Sequence, residues 1–460
     1  MEKTKKPNIF FLLIDSFRAD KFYGKDKTSL TPNLDSLIKK GVYFTQTINS
    51  SPASTSAIAS VLTSKWPHKV IVRGKKNHVM SHGEPNFINR LNELGYNTIS
   101  LTPEYFNYAK LTTDFKKSLQ FHGGLNDGIG QQITNIIDEL KSPWFFFIHL
   151  LDIHGTAKNL PKQFDQKKYG FNRYERKISS MDPWLGKIFE KIDQKNTLSV
   201  ITADHSTDRG IYTLKQEEIK ASFNQNNLQP FANVAKKFLS KSVSKKLRGI
   251  YINKKINTKK QKQSAALQNL SELDPFQKRI QSNLIHPGFN LFDDRFRIPL
   301  LFFGLDLPSK IINQQIRSVD IFPSIFDIIE EKSGMEIDGS SVMPIVSGKF
   351  IEEKPAFMQI ITNWLTTKSS SDINLIGVRY NGFKYFRARH DPSTNVGLYD
   401  LRKDPLEVNN LASSYTEKII EMEQILSEFE KNTKKEINNN LSQTDFKMDN
   451  RHSNLRKSGE

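Results

Sequence analysis

The chain has 460 residues, of which 37% are hydrophobic and 25% charged, a composition typical of a globular protein with one large domain and an appendage. It contains no cysteine, which excludes disulfides, thiolate metal sites and a cysteine nucleophile. The formal net charge of +18 indicates attraction to anions without naming a partner.

The first apolar run extends from Ile9 to Ile14. It is far shorter than the ~20 residues of a membrane span and shorter than the apolar part of a typical signal peptide. Its length and its bulky apolar residues predict a buried strand. With no export signal recognised, the expected location is the cytoplasm, and any membrane contact is expected to be peripheral.

Alternating strands and helices are predicted along the rest of the first 300 residues. Further buried strands are expected at Thr98 to Leu101, Trp144 to His149, Leu198 to Thr202 and Pro299 to Phe303. Helical spacing of apolar residues recurs at Leu34 to Lys40, Asn86 to Leu94, Thr134 to Leu140 and Met181 to Ile192. This alternation predicts a parallel sheet covered by helices on both faces. Polar residues that follow these strands should meet at one edge of the sheet: Asp15, Asp152, His154, Asp204 and His205.

The domain organisation is predicted from changes in composition. A large domain over residues 1–355 carries a Lys- and Arg-rich insertion at about 211–285. A small C-terminal subdomain over residues 356–430 contains an antiparallel hairpin around Asn381-Gly382. Residues 431–460 are rich in Asn, Lys and Ser and are expected to form a disordered tail.

Two stretches carry the motifs of a known enzyme family, namely the opening from Pro7 to Asp20 and the segment from Ser51 to His68. They resemble the first strand, and the nucleophile turn with the following helix, of the sulfatase family of the alkaline phosphatase superfamily. Further matches follow in family order at His149 to Gly155, Thr202 to His205, Arg297 to Leu300, Val319 to Pro323 and Leu398 to Leu411. The resemblance implies an α/β fold, namely an alkaline-phosphatase/sulfatase-like three-layer αβα sandwich with a small C-terminal α+β subdomain.

The resemblance places Ser54 at the nucleophile position. Sulfatases form an aldehyde nucleophile from the first residue of a C/S-x-P-x-R motif, whereas Ser56 and Ile58 stand here in place of the proline and the arginine. Ser54 is therefore expected to remain an alcohol, as in the phosphodiesterases and phosphoethanolamine transferases of the superfamily. If the turn is shifted, Thr55 is the alternative nucleophile.

A metal site is implied by the same resemblance. Asp15, Ser54, Asp204 and His205 match the first metal site of those transferases and phosphodiesterases, although Ser16 replaces the second carboxylate that sulfatases usually carry. An imidazole among oxygen ligands favours zinc. Manganese, magnesium and calcium are the alternatives for this divalent metal.

Further histidines are candidates for a second metal or for contact with the transferred group. His149 and His154 keep the five-residue spacing of the transferase family, and His286 precedes a segment that resembles the H-G-x-x-L-Y-D segment. We expect His154 and His286 to take part in catalysis by binding a second metal or the oxygens of the transferred group. His149 is expected to be a core histidine or one that supports the site.

The function predicted from these residues is cleavage or transfer of a phosphate-type ester through a metal-activated Ser54. One alternative is a sulfuric ester hydrolase in which Ser54 is converted to formylglycine. Another alternative is a non-catalytic anion-binding relic of the fold.

The expected partner is an anionic ester substrate, with a glycan-linked or lipid-linked ester as an alternative. The basic insertion at about 211–285 is interpreted as a solvated loop, or else as a basic lid over such a substrate. No nucleic acid is expected, and the sequence does not indicate an oligomeric state.

Overall fold

A computed structural model describes residues 6–73, 78–154, 159–207, 290–360 and 374–433, together with the isolated residues 276 and 279. Apart from residues 276 and 279, the basic insertion lies outside this part of the chain, as do His286 and residues 434–460 of the C-terminal tail. Among the described residues, none of the helices combines the length and the hydropathy needed to cross a lipid bilayer.

Strands and short helices alternate through the described residues. The strands are β1 (Asn8–Ile14), β2 (Val42–Ile48), β3 (Ile71–Arg73), β4 (His78–Met80), β5 (Asn97–Pro103), β6 (Lys117–Phe121), β7 (Trp144–Leu150), β8 (Thr197–Thr202), β9 (Arg297–Phe303), β10 (Lys310–Ile312), β11 (Ile316–Arg317), β12 (Ala356–Gln359), β13 (Leu375–Tyr380), β14 (Phe383–Ala388) and β15 (Gly397–Asp400). The helices are α1 (Ala19–Phe22), α2 (Pro32–Ile38), α3 (Ser54–Thr63), α4 (Pro67–Val70), α5 (Phe87–Glu93), α6 (Tyr105–Tyr108), α7 (Ile129–Glu139), α8 (Arg173–Glu190), α9 (Asp293–Phe296), α10 (Ile321–Ile328) and α11 (Met343–Val346). Residues 416–433 are also helical.

A nine-stranded sheet forms the centre of the described structure. Its strand order is β10-β2-β9-β8-β1-β7-β5-β6, and β11 also pairs with β2. The strands β8, β1, β7 and β5 are mutually parallel, as the sequence predicted, and β6, which the sequence did not predict, pairs parallel with β5. The strand β9 instead runs antiparallel to both β8 and β2, so the sheet is mixed and the prediction of an all-parallel sheet is corrected.

Two helical layers cover this sheet. On one face, Phe11 of β1 packs in a single apolar cluster with Ile58 of α3 and Phe322 of α10. On the other face, Phe10 of β1 meets Phe189 of α8 with ring centroids 5.4 Å apart. Burial of each such phenylalanine contributes roughly 1.5–3 kcal/mol to folding. Because successive residues of β1 point to opposite faces, this one strand fixes both layers of an αβα sandwich.

A smaller antiparallel sheet, in the order β12-β13-β14-β15, follows the central sheet along the chain. The hairpin of β13 and β14 turns at Asn381 and Gly382, whose φ angles of 48° and 73° lie in the left-handed region. Asparagine and glycine enter this region most readily, so the hairpin predicted at this pair is confirmed. The proposed boundaries of the C-terminal subdomain stay a prediction.

A half-buried histidine connects this small sheet to the helical residues 416–433. Gln359 and Thr433 hydrogen-bond the two ring nitrogens of His68, each at 3.0 Å. Burial, followed by the charge of Lys69, lowers the pKa of His68 from 6.5 to about 3. His68 is therefore neutral at physiological pH in the folded protein.

We expect His68 to make folding stability depend on pH between 6.5 and about 3. Below pH 6.5 His68 is protonated in the unfolded chain but not in the folded chain. Its contribution to folding stability is therefore fully present above pH 6.5 and is lost as the pH falls. In wild type this effect lowers the free energy of unfolding by up to about 1.4 kcal/mol for each pH unit below 6.5. Urea unfolding of His68→Gln across the same range should lack this contribution. The same substitution at the exposed His390 should leave the slope unchanged, and an equal slope in wild type and His68→Gln would contradict the prediction.

Candidate active site

The carboxyl end of β1 places Asp15 and Ser16 in the interior. Both residues are buried, and Ser16 has a φ of 62°, a left-handed conformation that is uncommon for a residue with a side chain. The Ser16 hydroxyl donates to Asp15 Oδ1 at 2.5 Å, and the Ser16 amide donates to Asp204 Oδ1 at 3.3 Å. The tight turn thus binds the Oδ1 atom of each carboxylate through a hydrogen bond and leaves both Oδ2 atoms facing the centre of the site.

The end of the neighbouring strand β8 supplies Asp204 and His205. The side chain of Asp204 is fully buried, and its Oδ1 also accepts the His205 amide at 2.8 Å. His205 Nδ1 lies 2.9 Å from the carbonyl oxygen of Ser206, to which it donates its proton. The unprotonated Nε2 atom is consequently the one that faces the site, 3.5 Å from Asp204 Oδ2.

Ser54 is the first residue of helix α3 and is half-buried. Its hydroxyl lies 3.2 Å from His205 Nε2 and 3.4 Å from Asp15 Oδ2. The predicted nucleophile and the three predicted ligands therefore converge from three separate elements of the fold. These contacts belong to Ser54 itself, which favours it over Thr55 as the reacting residue.

The buried carboxylate Asp204 is held in its charged form. Burial alone raises the pKa of Asp204, but the electrostatic effect of the neighbouring His205 ring, followed by that of His149, outweighs burial. The net result is a pKa well below the ordinary value of an aspartate. An anionic carboxylate is thus present in the interior at every physiological pH.

The cluster of Asp15, Asp204 and His205 fits a divalent ion. Their ligand atoms all lie within 4.8 Å of one another. Among the described residues, the buried Asp204 Oδ2 has no hydrogen-bond partner, as expected for an oxygen reserved for a cation. The contacts of 3.2–3.5 Å that link Ser54, His205 and the inward oxygens are close to the ~3.3 Å separation of ligands bound tetrahedrally at 2.0–2.1 Å.

His154 lies on the open side of the cluster. Its Nδ1 atom is 2.8 Å from Asp15 Oδ1, while 58% of its side chain is exposed. The structure therefore brings His154 to the site at a position that a bound ester can reach from solvent. The other histidine predicted to act in catalysis, His286, lies outside the described residues.

Two site residues were weakly indicated or missed by the sequence. His149 is fully buried behind the carboxylates, with Nε2 at 3.8 Å from Asp15 Oδ2 and 3.7 Å from Asp204 Oδ2. Tyr105 begins helix α6 directly after β5, and its hydroxyl contacts Ser54 and lies 3.5 Å from His149 Nδ1. Burial and the nearby carboxylates raise the pKa of Tyr105 well above its ordinary value, so the phenol stays protonated. Its place at the carboxyl edge of β5 is the signal that could have revealed it.

Asp152 follows β7 at the same edge of the sheet but does not join the cluster. Its carboxylate accepts the amide of Leu125 at 3.1 Å and lies 3.4 Å from the ammonium group of Lys177. Asp152 therefore supports the loop that carries His154. Lys65, which follows α3, forms a partly buried ion pair with Glu84 at 2.6 Å.

The position of the family's motif arginine is part of the hydrophobic core. Ile58 is 1% exposed and packs with Leu62 and the sheet, and Ser56 is equally buried. An arginine at residue 58 would bring an unpaired charge into this core. The local packing is thus adapted to the sequence that departs from the C/S-x-P-x-R motif.

The mixed sheet between two helical layers, with this cluster at the strand ends, defines the chain as a member of the alkaline phosphatase superfamily. The sequence profile described as "Sulfatase" matches residues 7–330, and the profile "N-sulphoglucosamine sulphohydrolase, C-terminal" matches residues 289–436. The chain belongs to the sulfatase family. The expectation from the sequence motifs is thereby confirmed at the level of family and fold.

Individual relatives are distant from this chain. An ulvan-active sulfatase of Formosa agariphila is 21% identical over 89% of this chain and 77% of its own length, and a choline-sulfatase of Rhizobium meliloti is 22% identical over 89% and 83%. Arylsulfatase K of Xenopus laevis is 26% identical, but the match spans only 30% of this chain and 26% of that protein.

Solved structures share the same fold. A 2-O GAG sulfatase superposes with a TM-score of 0.64 at 15% identity over 94% of this chain and 93% of that one. The phosphonate monoester hydrolase of Agrobacterium radiobacter has a TM-score of 0.63 at 15% identity over 93% and 96%. At this level of identity the likeness concerns the fold alone.

Proposed function

We propose that this chain hydrolyses sulfate esters at the site around Ser54. The observation that carries the proposal is the position of Ser54 at the start of α3, in contact with the buried Asp15 and with His205. The relatives that align over most of the chain are sulfatases, and they support sulfate esters better than the phosphate-type esters favoured by the sequence motifs.

Asp15, Asp204, His205 and Ser54 would hold the divalent ion, and we propose zinc because an imidazole joins the oxygen ligands. A bound ion would lower the pKa of the attacking hydroxyl and offset negative charge on the ester oxygens. Ser16 keeps Asp15 oriented through its hydroxyl, and the backbone of Ser206 keeps the His205 Nε2 atom unprotonated.

The reaction begins when an oxygen on residue 54 forms a bond to sulfur. The bond between sulfur and the alcohol oxygen breaks, and the alcohol leaves with one proton. His154 is the exposed group placed to contact the ester oxygens or to give that proton to the alcohol. Water then releases sulfate and restores residue 54.

A specific observation favours a second candidate, cleavage of a phosphate-type ester by an unmodified serine. The motif that directs conversion of serine to formylglycine is broken at Ser56 and Ile58, and both residues are locked into the core. An unmodified Ser54 would attack phosphorus in line, and water or an acceptor alcohol would resolve the seryl intermediate.

We expect purified protein loaded with zinc to release the aryl alcohol from an aryl sulfate faster than from the matching aryl phosphate mono- and diesters. Choline sulfate and a sulfated oligosaccharide complete the panel, because relatives of this chain include a choline-sulfatase and an ulvan-active sulfatase. The intact mass of the Ser54 peptide, measured on the same sample, separates a serine from the lighter aldehyde. Turnover of phosphate-type esters alone would replace the first candidate with the second.

A further inference from the structure

The central sheet brings a fully buried histidine, His149, to the back of the metal cluster. In the parallel register of β1 and β7, His149 lies opposite Leu13, two residues before Asp15. Alternation along β7 places His149 on the same face as Phe145 and Phe147, which pack in the core under α3. On this face of β7 the side chains are thus apolar up to Phe147, and the polar ring of His149 follows where the strand reaches the two carboxylates.

The surroundings of His149 determine which ring nitrogen carries its proton. Nε2 faces the inward oxygens of Asp15 and Asp204 at 3.8 and 3.7 Å and has no hydrogen-bond partner among the described residues. A lone pair directed at two anionic oxygens would be repelled, so the proton belongs on Nε2. Nδ1 then accepts the hydroxyl proton of Tyr105, whose oxygen is 3.5 Å away.

A protonated Nε2 cannot coordinate a metal, which distinguishes His149 from the ligand His205. We propose that His149 is a positioning residue whose Nε2 atom, 3.8 and 3.7 Å from the Oδ2 atoms of Asp15 and Asp204, orients both carboxylates by electrostatic attraction without a direct hydrogen bond, while Tyr105 fixes the orientation of the ring. The inference rests on the proposed function, because it assigns to these carboxylates the divalent ion on which that function depends. Groups that orient ligands in this way commonly change metal affinity by roughly 10- to 100-fold.

Zinc affinity, measured by competition with a chromophoric chelator, provides the test. His149→Leu keeps the volume of the side chain but removes the donor, and should bind zinc roughly 10- to 100-fold more weakly than wild type. His149→Gln carries an N–H group near the position of Nε2 and should recover most of that loss. Tyr105→Phe should weaken binding less than His149→Leu does, and His122→Leu, on the exposed surface, is the matched control.

X-ray absorption of the zinc-loaded protein tests the tautomer independently of activity. One imidazole ligand, from His205, is expected in wild type and in His149→Gln. Two imidazoles in wild type that fall to one in His149→Leu would make His149 a ligand and overturn the inference, as would equal zinc affinity in wild type and His149→Leu. Thermal unfolding of the metal-free variants checks that weak binding is not caused by loss of the fold.

Failure of this inference is distinguishable from failure of the proposed function. If wild type holds no stoichiometric divalent ion, the metal part of the proposed function is wrong and the role of His149 falls with it. If wild type holds the ion and His149→Leu holds it equally well, only the role of His149 is wrong.

Discussion

Replacing Ser54 with alanine is expected to lower turnover by several orders of magnitude, up to about a million-fold. The reason is that the Ser54 oxygen, in contact with Asp15 and His205, forms the new bond to the ester in both proposed chemistries. The measurement is the single-turnover rate on the best aryl ester of the panel. The matched control is Thr55→Ala, which removes the neighbouring hydroxyl and should keep most of the activity.

The remaining substitutions of Ser54 refine this expectation. Ser54→Thr keeps the hydroxyl and should retain measurable activity if the nucleophile is an alcohol. Ser54→Cys should fall below it, because a thiolate is softer and binds zinc tightly. Full activity in Ser54→Ala together with loss in Thr55→Ala would move the nucleophile to Thr55. Activity that requires an aldehyde at residue 54 would exclude the unmodified serine.

The second large effect is expected for Asp204 and His205. Asp204→Ala or His205→Ala should release the bound ion and abolish activity, because each substitution removes one of the few ligands in a closely spaced cluster. Metal content by mass spectrometry of the dialysed protein is the measurement, and chelation of wild type should reproduce the loss of activity.

The control for this experiment is another buried carboxylate at the same edge of the sheet. Asp152→Asn alters a carboxylate that faces Lys177 and Leu125 rather than the cluster, so it should lower stability and leave the metal content unchanged. Stoichiometric metal in both Asp204→Ala and His205→Ala would show that the ion binds elsewhere.

The positions of the central strands could be predicted because apolar runs such as Ile9 to Ile14 and Trp144 to His149 have the length of buried strands. The antiparallel direction of β9 could not be predicted, because an apolar run has the same pattern in a parallel strand and in an antiparallel strand. The strand β2 escaped a strand prediction because half-buried polar residues interrupt its apolar pattern at Thr45 and Gln46.

The candidate site was likewise only partly predictable from the sequence. Asp15, Ser54, Asp204 and His205 were predicted together because each belongs to a short motif at the end of a strand or the start of a helix. Asp152 also follows a strand at this edge of the sheet, but its side chain points away from the cluster. A place at the sheet edge fixes the position of the backbone and not the direction of a side chain. The relation of Tyr105 to His149 depends on contacts between residues 44 positions apart, which no local pattern contains.

The left-handed backbone of Ser16 has a consequence for the evolution of this site. Aspartate and asparagine enter that conformation more readily than most side chains, so the turn could accept a second carboxylate without rebuilding its backbone. The negative charge around the ion can therefore change by one unit in a lineage while the strands remain as they are. Descendants of one ancestor could differ in metal preference through this single residue.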